Sequence, residues 1–192
     1  LGTSGSCNGK LIVSRENLID AISDGSYSID GPDQNGNTIS YTFAEGGTGD
    51  IYTGNITDFS QLFKGKKTFN LDIGYWNTSN ATNMSGMFSN ARKFNQDISN
   101  WDVSNVTQMN GMFMNAKKFD QDIGSWNISN VQDMSSMFRN AHRFNQNLNS
   151  WNVSKVTSMA DIFRAAKDFN GNISSWNTST VKNFIGAFHS AQ

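Results

Sequence analysis

The sequence has few of the residues that mark a catalytic, metal-binding or membrane-inserted protein. Its one cysteine, Cys7, excludes an internal disulfide and a metal site built from cysteines. Its two histidines, His142 and His189, are far apart in the chain and neither accompanies a nucleophile motif. No apolar run approaches the length of a membrane-spanning helix. We therefore expect a protein that is not an enzyme, needs no cofactor or metal ion, and does not insert directly into a membrane.

Charge is also scarce. Charged residues make up 16% of the chain and the formal net charge is -1, which argues against a nucleic-acid-binding protein. The charge is unevenly divided, because residues 1–55 carry seven acidic and two basic residues, whereas residues 56–192 carry nine acidic and thirteen basic residues. The two parts are therefore expected to differ in structure and to attract each other.

A unit of 25 residues recurs without insertion or deletion. It is marked by one tryptophan column and two phenylalanine columns, at Trp76, Trp101, Trp126, Trp151 and Trp176, at Phe63, Phe88, Phe113, Phe138, Phe163 and Phe188, and at Phe69, Phe94, Phe119, Phe144 and Phe169. Such strict register is typical of a solenoid, in which each unit stacks on the next.

Residues 1–55 do not repeat, and we expect them to cap the first unit. Apolar residues at helical spacing predict a helix over residues 14–23, with Ser14 as its N-cap. Alternating residues at 27–29 and 38–43 predict two strands joined by a turn. The predicted domains are an N-terminal cap at 1–55, with a short helix and a hairpin, and a solenoid of about five to six units at 56–192.

The clearest unit predicts one short helix and one short strand. Val106, Met109, Met112, Phe113 and Ala116 fall on one face of a helix. The alternation over residues 125–129 predicts a strand. The expected fold is an α/β solenoid, a right-handed and curved stack of helix–strand repeats with the strands on its concave side.

A polar column on the outward face of the predicted strands is one candidate ligand site, with solvated surface as the alternative. It comprises Asn77, Asp102, Asn127, Asn152 and Asn177, with Tyr75 as a neighbouring exposed aromatic residue. The methionine and tryptophan columns are expected to be core, although a methionine stripe could bind partners and a tryptophan ladder could stack sugars.

A basic edge follows each predicted helix and is the second candidate site. Cations at helix C-termini have a structural explanation in the helix dipole, while contact with acidic glycans or a negative surface is the functional alternative. Its candidate residues are Lys67, Arg92, Lys93, Lys117, Lys118 and Arg143.

The repeat resembles a known family. The resemblance is carried by the run MNGMFMNAKKFDQDIGSWNISNV at 109–131 and by WDVSNVT at 101–107. These are similar to the DUF285 repeat of the BspA-like leucine-rich-repeat surface proteins, and the likeness covers about residues 56–192. It implies a leucine-rich-repeat-like bacterial protein that is secreted or exposed at the cell surface, with no shared catalytic residues.

Three functions are consistent with these features. The first is a non-catalytic adhesion or binding module that recognises a protein or glycan on another cell or matrix. The second is a structural spacer within a longer surface or fibre protein. The third is binding to ice or another periodic solid through a regular polar row, which the expected curvature disfavours.

Overall fold

All the helices and strands of the described chain lie in its N-terminal part. The structure, a computed structural model, describes residues 6–7, 10–33, 35–43 and 51–191. Its elements are β1 Ser6–Cys7, β2 Lys10–Ile12, α1 Arg15–Asp24, β3 Ser28–Pro32, β4 Thr38–Thr42 and β5 Ile51–Tyr52. Strand β2 lies antiparallel to β1 and parallel to β5. Strands β3 and β4 form an antiparallel hairpin.

The predicted N-terminal helix is confirmed as α1. Ser14 is its N-cap and forms a capping box with Asn17, in which each residue accepts a hydrogen bond from the other's backbone N–H. Gly25 ends the helix in the left-handed conformation, with φ 79°. The helix buries Leu18 and Ile22, two of the apolar residues that predicted it.

The predicted hairpin is confirmed as β3 and β4. Its turn is held by Asp33, whose Oδ1 accepts the backbone N–H groups of Asn35 and Asn37, both at 2.8 Å. The side-chain amide of Asn37 also donates to Asp33 Oδ2 at 3.1 Å. The hydrogen bonds from Asn37, its side-chain amide first, stabilise the charged carboxylate and lower the pKa of Asp33.

The repeats contain neither the predicted helix nor the predicted strand. From residue 53 to the end of the described chain the backbone forms turns, and isolated parallel bridges join each unit to the next. The bridged residues are Asp58, Asn83, Gln108, Asp133, Ser158 and Asn183, which share one position of the unit. The helix–strand interpretation of the unit was therefore wrong.

Two left-handed residues in every unit explain why the helix does not form. In the unit that contains Phe113 these are Gly111, at φ 62°, and Asn115, at φ 59°. A left-handed residue breaks a right-handed helix, and glycine and asparagine adopt that conformation most readily. The first left-handed column is Gln61, Gly86, Gly111, Ser136, Asp161 and Gly186, and the second is Gly65, Asn90, Asn115, Asn140, Ala165 and Ser190.

The turns hydrogen-bond alternately within a unit and to the next unit. The N–H of Met112 donates to the Met109 carbonyl at 3.2 Å, which closes a turn inside the unit. The N–H of Phe113 donates to the Met137 carbonyl of the following unit at 2.9 Å. Because successive turns close over three residues, inward side chains recur at the spacing that resembles a helix face.

Aromatic rings form the centre of the repeats. Phe113 and Phe119 stack within one unit at 3.9 Å between centroids, and Phe113 stacks on Phe138 of the next unit at 5.7 Å. Trp126 donates from Nε1 to the Ile98 carbonyl of the preceding unit at 3.2 Å. The prediction that the tryptophan and methionine columns are core is confirmed, because all of them are buried except Trp176, which is partly exposed.

Candidate functional site

The polar column of the sequence analysis supports the turns of the repeat. Each of its side chains accepts, through Oδ1, the backbone N–H of the serine two residues later, at 2.9–3.2 Å. This is an Asx turn, a local structural use of aspartate or asparagine. The participating residues are Asn77, Asp102, Asn127, Asn152 and Asn177.

Tyr75 is not the exposed aromatic residue that we expected beside this column. Its ring is half-buried, and its hydroxyl donates to the Thr42 carbonyl in β4 at 3.3 Å. Lys10 places its Nζ 5.0 Å from the centre of the same ring. Tyr75 therefore connects the first units to the N-terminal part of the chain. It is not an exposed ring on which a ligand could stack beside the polar column.

The basic edge differs from the polar column because its side chains form no hydrogen bonds that support the turns of the repeat. All six predicted residues are exposed, and within the described part of the chain none of their side chains makes a hydrogen bond or an ion pair. They are Lys67, Arg92, Lys93, Lys117, Lys118 and Arg143. The helix dipole invoked as their structural explanation has no role, since the repeats have no helices.

Four cations elsewhere on the repeats do have partners. Arg139 and Arg164 both contact the carboxylate of Asp161, at 3.1 and 3.4 Å. Lys64 donates to Gln61 Oε1 and Lys155 donates to Asn130 Oδ1. These four cations are thus balanced or hydrogen-bonded, whereas the side chain of Lys182 is exposed and makes neither contact within the described chain. Cations without partners recur in successive units on the basic edge.

His142 occupies the basic edge between two lysines of the neighbouring units. Partial burial, and then the charges of Lys117 and Lys167, hold the pKa of His142 below its usual value, while Asp168 opposes them. Both lysines therefore act on one imidazole from the two neighbouring units. The sequence analysis did not include His142 among the site residues, although its repeat position was visible.

A second surface feature was not predicted. A groove of about 290 Å³ follows the first left-handed column across several units, between Gln61 and Ser136. Its walls bond largely to one another, as the Ser85 hydroxyl does to Asn110 Oδ1 at 2.8 Å. The recurrence of Gly86 and Gly111 at one repeat position was the sequence signal for it.

The described residues contain no group of three or more histidine, cysteine, aspartate or glutamate side chains placed to hold a metal ion. In the same ranges, no helix combines the length and the apolar character that crossing a membrane requires. The candidate surfaces are the polar column, the groove, an open depression of about 500 Å³ bordered by Lys155 and Lys182, and the basic edge. Of these, the basic edge alone is a set of exposed charges without internal partners.

One protein family matches most of the chain. Its description is "Mycoplasma protein of unknown function, DUF285", and it matches residues 37–148 and 121–192. No curated protein and no solved structure gives a significant match. The chain belongs to the DUF285 family.

Proposed function

We propose that this chain is a non-catalytic binding module, secreted or exposed at a cell surface, which recognises a protein or glycan on another cell or matrix. The observation that carries the proposal is the basic edge, six exposed cations that the described chain does not neutralise. An uncompensated row of charge raises the local concentration of oppositely charged ligands and speeds their association.

In the fold that we propose, the units stack on one another and contain no helices or strands. We infer a solenoid built from turns, in which hydrogen bonds and ring stacking at intervals of 25 residues hold each unit on the next. Its handedness and curvature stay predictions. The likeness to BspA-like leucine-rich-repeat proteins is also part of the proposal, and it favours the surface location.

A regular array suits this function because it presents one surface many times on a rigid support. Each unit of such an array packs against its neighbours, so the array can display the same surface at every unit. A structural spacer does not need charged side chains that lack partners. The basic edge therefore favours the binding function over the spacer function.

The test is binding of the fluorescently labelled chain to a panel of glycans, matrix proteins and bacterial cells. Saturable binding to at least one component is expected, and the unfolded chain is the control. Asn127→Ala tests the polar column and Lys118→Ala tests the basic edge. Absence of saturable binding across the whole panel would overturn the proposal and favour the spacer.

A further inference from the structure

We propose that the basic edge binds a linear anionic glycan, which lies along the array and meets the cations of successive units in turn. The inference rests on the proposed function and names the ligand class of that same surface. The ligand is a chain of sugars bearing carboxylate or sulfate groups.

The cations recur at the interval of the repeat. One column contains Lys67, Arg92, Lys117, His142 and Lys167, and the column beside it contains Lys93, Lys118 and Arg143, followed by the acidic Asp168. The phenylalanine that follows the second column stacks from unit to unit at 5.9–6.0 Å, as in the pair Phe119–Phe144. The turns that carry the cations therefore recur at a similar interval along the array. A polymer with at least one charge per sugar can place an anion beside the cations of every unit.

Like charges repeated at this interval repel one another. The repulsion is small in water but recurs between neighbouring cations such as Arg92 and Lys117, and a bound polyanion offsets it there. Lys117 also raises the cost of protonating His142, and Lys167 does so from the other side. A bound anion would therefore relieve a repulsion that the described chain leaves in place.

The support under the basic edge is fixed by its own hydrogen bonds. Directly after the buried phenylalanine, the backbone N–H of Asp120 donates to Asn95 Oδ1 at 2.8 Å. The N–H of Asn145 donates in turn to Asp120 Oδ1 at 2.9 Å. This ladder holds the units in register, so the spacing of the cations is set before the ligand arrives and less ordering is needed on binding.

The surroundings of the basic edge favour a glycan over a nucleic acid or a membrane. Binding of single-stranded nucleic acid uses exposed aromatic rings for base stacking, but Phe94, Phe119 and Phe144 beside the edge are fully buried. Binding to a membrane surface uses exposed apolar side chains next to the cations. Beside these cations the described chain places polar residues such as Asn95 and Asp120.

The test measures binding of the full chain to heparin and to polygalacturonate, with neutral dextran as the uncharged polymer. The double variant Lys117→Ser/Lys118→Ser removes two cations from the edge. The matched control Lys155→Ser/Lys182→Ser removes two exposed lysines from another face. Binding of both polyanions is expected to fall with salt, and the edge variant is expected to lose affinity by at least about tenfold and to depend less steeply on salt. The control is expected to stay within about twofold.

Equal losses in the two variants, or no binding of either polyanion by the folded chain at low salt, would overturn the inference. Single-stranded DNA and vesicles containing anionic lipid are run in parallel. Tighter, edge-dependent binding to either of these would replace the glycan and also overturn it. If the panel of proteins, cells and glycans gives a saturable partner that the edge variant still binds, this inference falls while the proposed function stands.

Discussion

The two ends of the repeat array contain the same unit in different surroundings. At the N-terminal end Phe59 and Phe63 are both fully buried, whereas at the C-terminal end their counterparts Phe184 and Phe188 are 42% and 48% exposed. Ile185 on the same end is 79% exposed. Burial of a unit therefore depends on what lies next to it, since the unit has too few residues to enclose its own rings.

Arg15 shows how the N-terminal end is completed. Its guanidinium donates to the Asp58 and Ser60 carbonyls, at 2.9 and 2.8 Å. In the following units the matching carbonyls, such as those of Asn83 and Ser85, accept backbone N–H groups of the preceding unit. One side chain from α1 thus replaces the backbone donors of a missing unit, which is the task of a cap in a repeat protein.

The largest expected contrast is between an interior ring and its counterpart at the open end. Phe113→Ala should lower the free energy of unfolding by about 3–5 kcal/mol, because it leaves a cavity between two stacked neighbours. Phe188→Ala should cost about half as much or less, because its ring has a neighbour on one side only. Urea unfolding of the two variants checks this. Equal losses of unfolding free energy in the two variants would contradict the expected difference between the two ends of the array.

Removing the cap should have the next largest effect. Arg15→Met keeps most of the side-chain volume but leaves two carbonyls without their charged donor, at an expected cost of about 1.5–3 kcal/mol. Arg143→Met, on the exposed basic edge, should change the free energy of unfolding by less than about 0.5 kcal/mol. Hydrogen exchange should also rise first in the units nearest to Arg15. A uniform rise along the array would argue against a capping role.

Substitutions at the left-handed columns should change the free energy of unfolding in opposite directions, depending on whether the position holds glycine or alanine. Gly111→Ala forces alanine into a left-handed position and should cost about 1 kcal/mol. Ala165→Gly relieves an alanine at φ 54° and should stabilise by a few tenths of a kcal/mol to about 1 kcal/mol. Ala160→Gly, in the same unit but outside the left-handed columns, is the matched control and should destabilise. Thermal unfolding of the three variants decides the signs.

The smallest expected effect is the pH dependence contributed by His142. Its pKa is lower in the folded chain than in the unfolded chain, where it is about 6.5. The unfolded state therefore binds more protons, and the stabilisation is present above pH 6.5 and is lost as the pH falls through the lower folded value. His142→Gln should flatten this part of the stability curve. His189→Gln, at the exposed C-terminal end, is the matched control, and identical curves for wild type and His142→Gln would contradict the prediction.

The identity of the core was predictable because it depends on period alone. Residues that recur as strictly as Trp126 or Met109 occupy the same position of the unit, and for large apolar residues the common reason is burial against the neighbouring units. The N-terminal helix was predictable for a different reason, since Ser14 and the residues that follow it specify their own cap and apolar face. The sequence was sufficient in both cases: its 25-residue period identified the core, and the residues from Ser14 onward identified the helix.

The local conformation of the unit was not predictable from the same pattern. Apolar residues at intervals of three and four fit a helix and also fit successive three-residue turns, as between Met109 and Phe113. Gly111 and Asn115 were the distinguishing signal, because both tolerate the left-handed conformation. The role of Arg15 gave no sequence signal, since its partners are backbone carbonyls 43 and 45 residues away.

The basic edge was identified from the sequence as a stripe, but its lack of internal partners required the structure. Sequence alone could not distinguish Lys118, which is exposed without a partner, from Arg164, which contacts Asp161. It also placed the edge at the ends of helices that do not form. Exposure and pairing depend on how neighbouring units align, and that alignment is a property of the stack.

The most direct test of the central claim is a nuclear magnetic resonance titration of His142 with and without the anionic glycan, with the His189→Gln variant to assign the signal. A polyanion on the basic edge should offset the charges of Lys117 and Lys167, so the pKa of His142 should rise toward or above its ordinary value when polygalacturonate is bound. Neutral dextran should leave it unchanged. An unchanged pKa under conditions where polygalacturonate saturates the chain would mean that the ligand binds elsewhere, and would contradict the account.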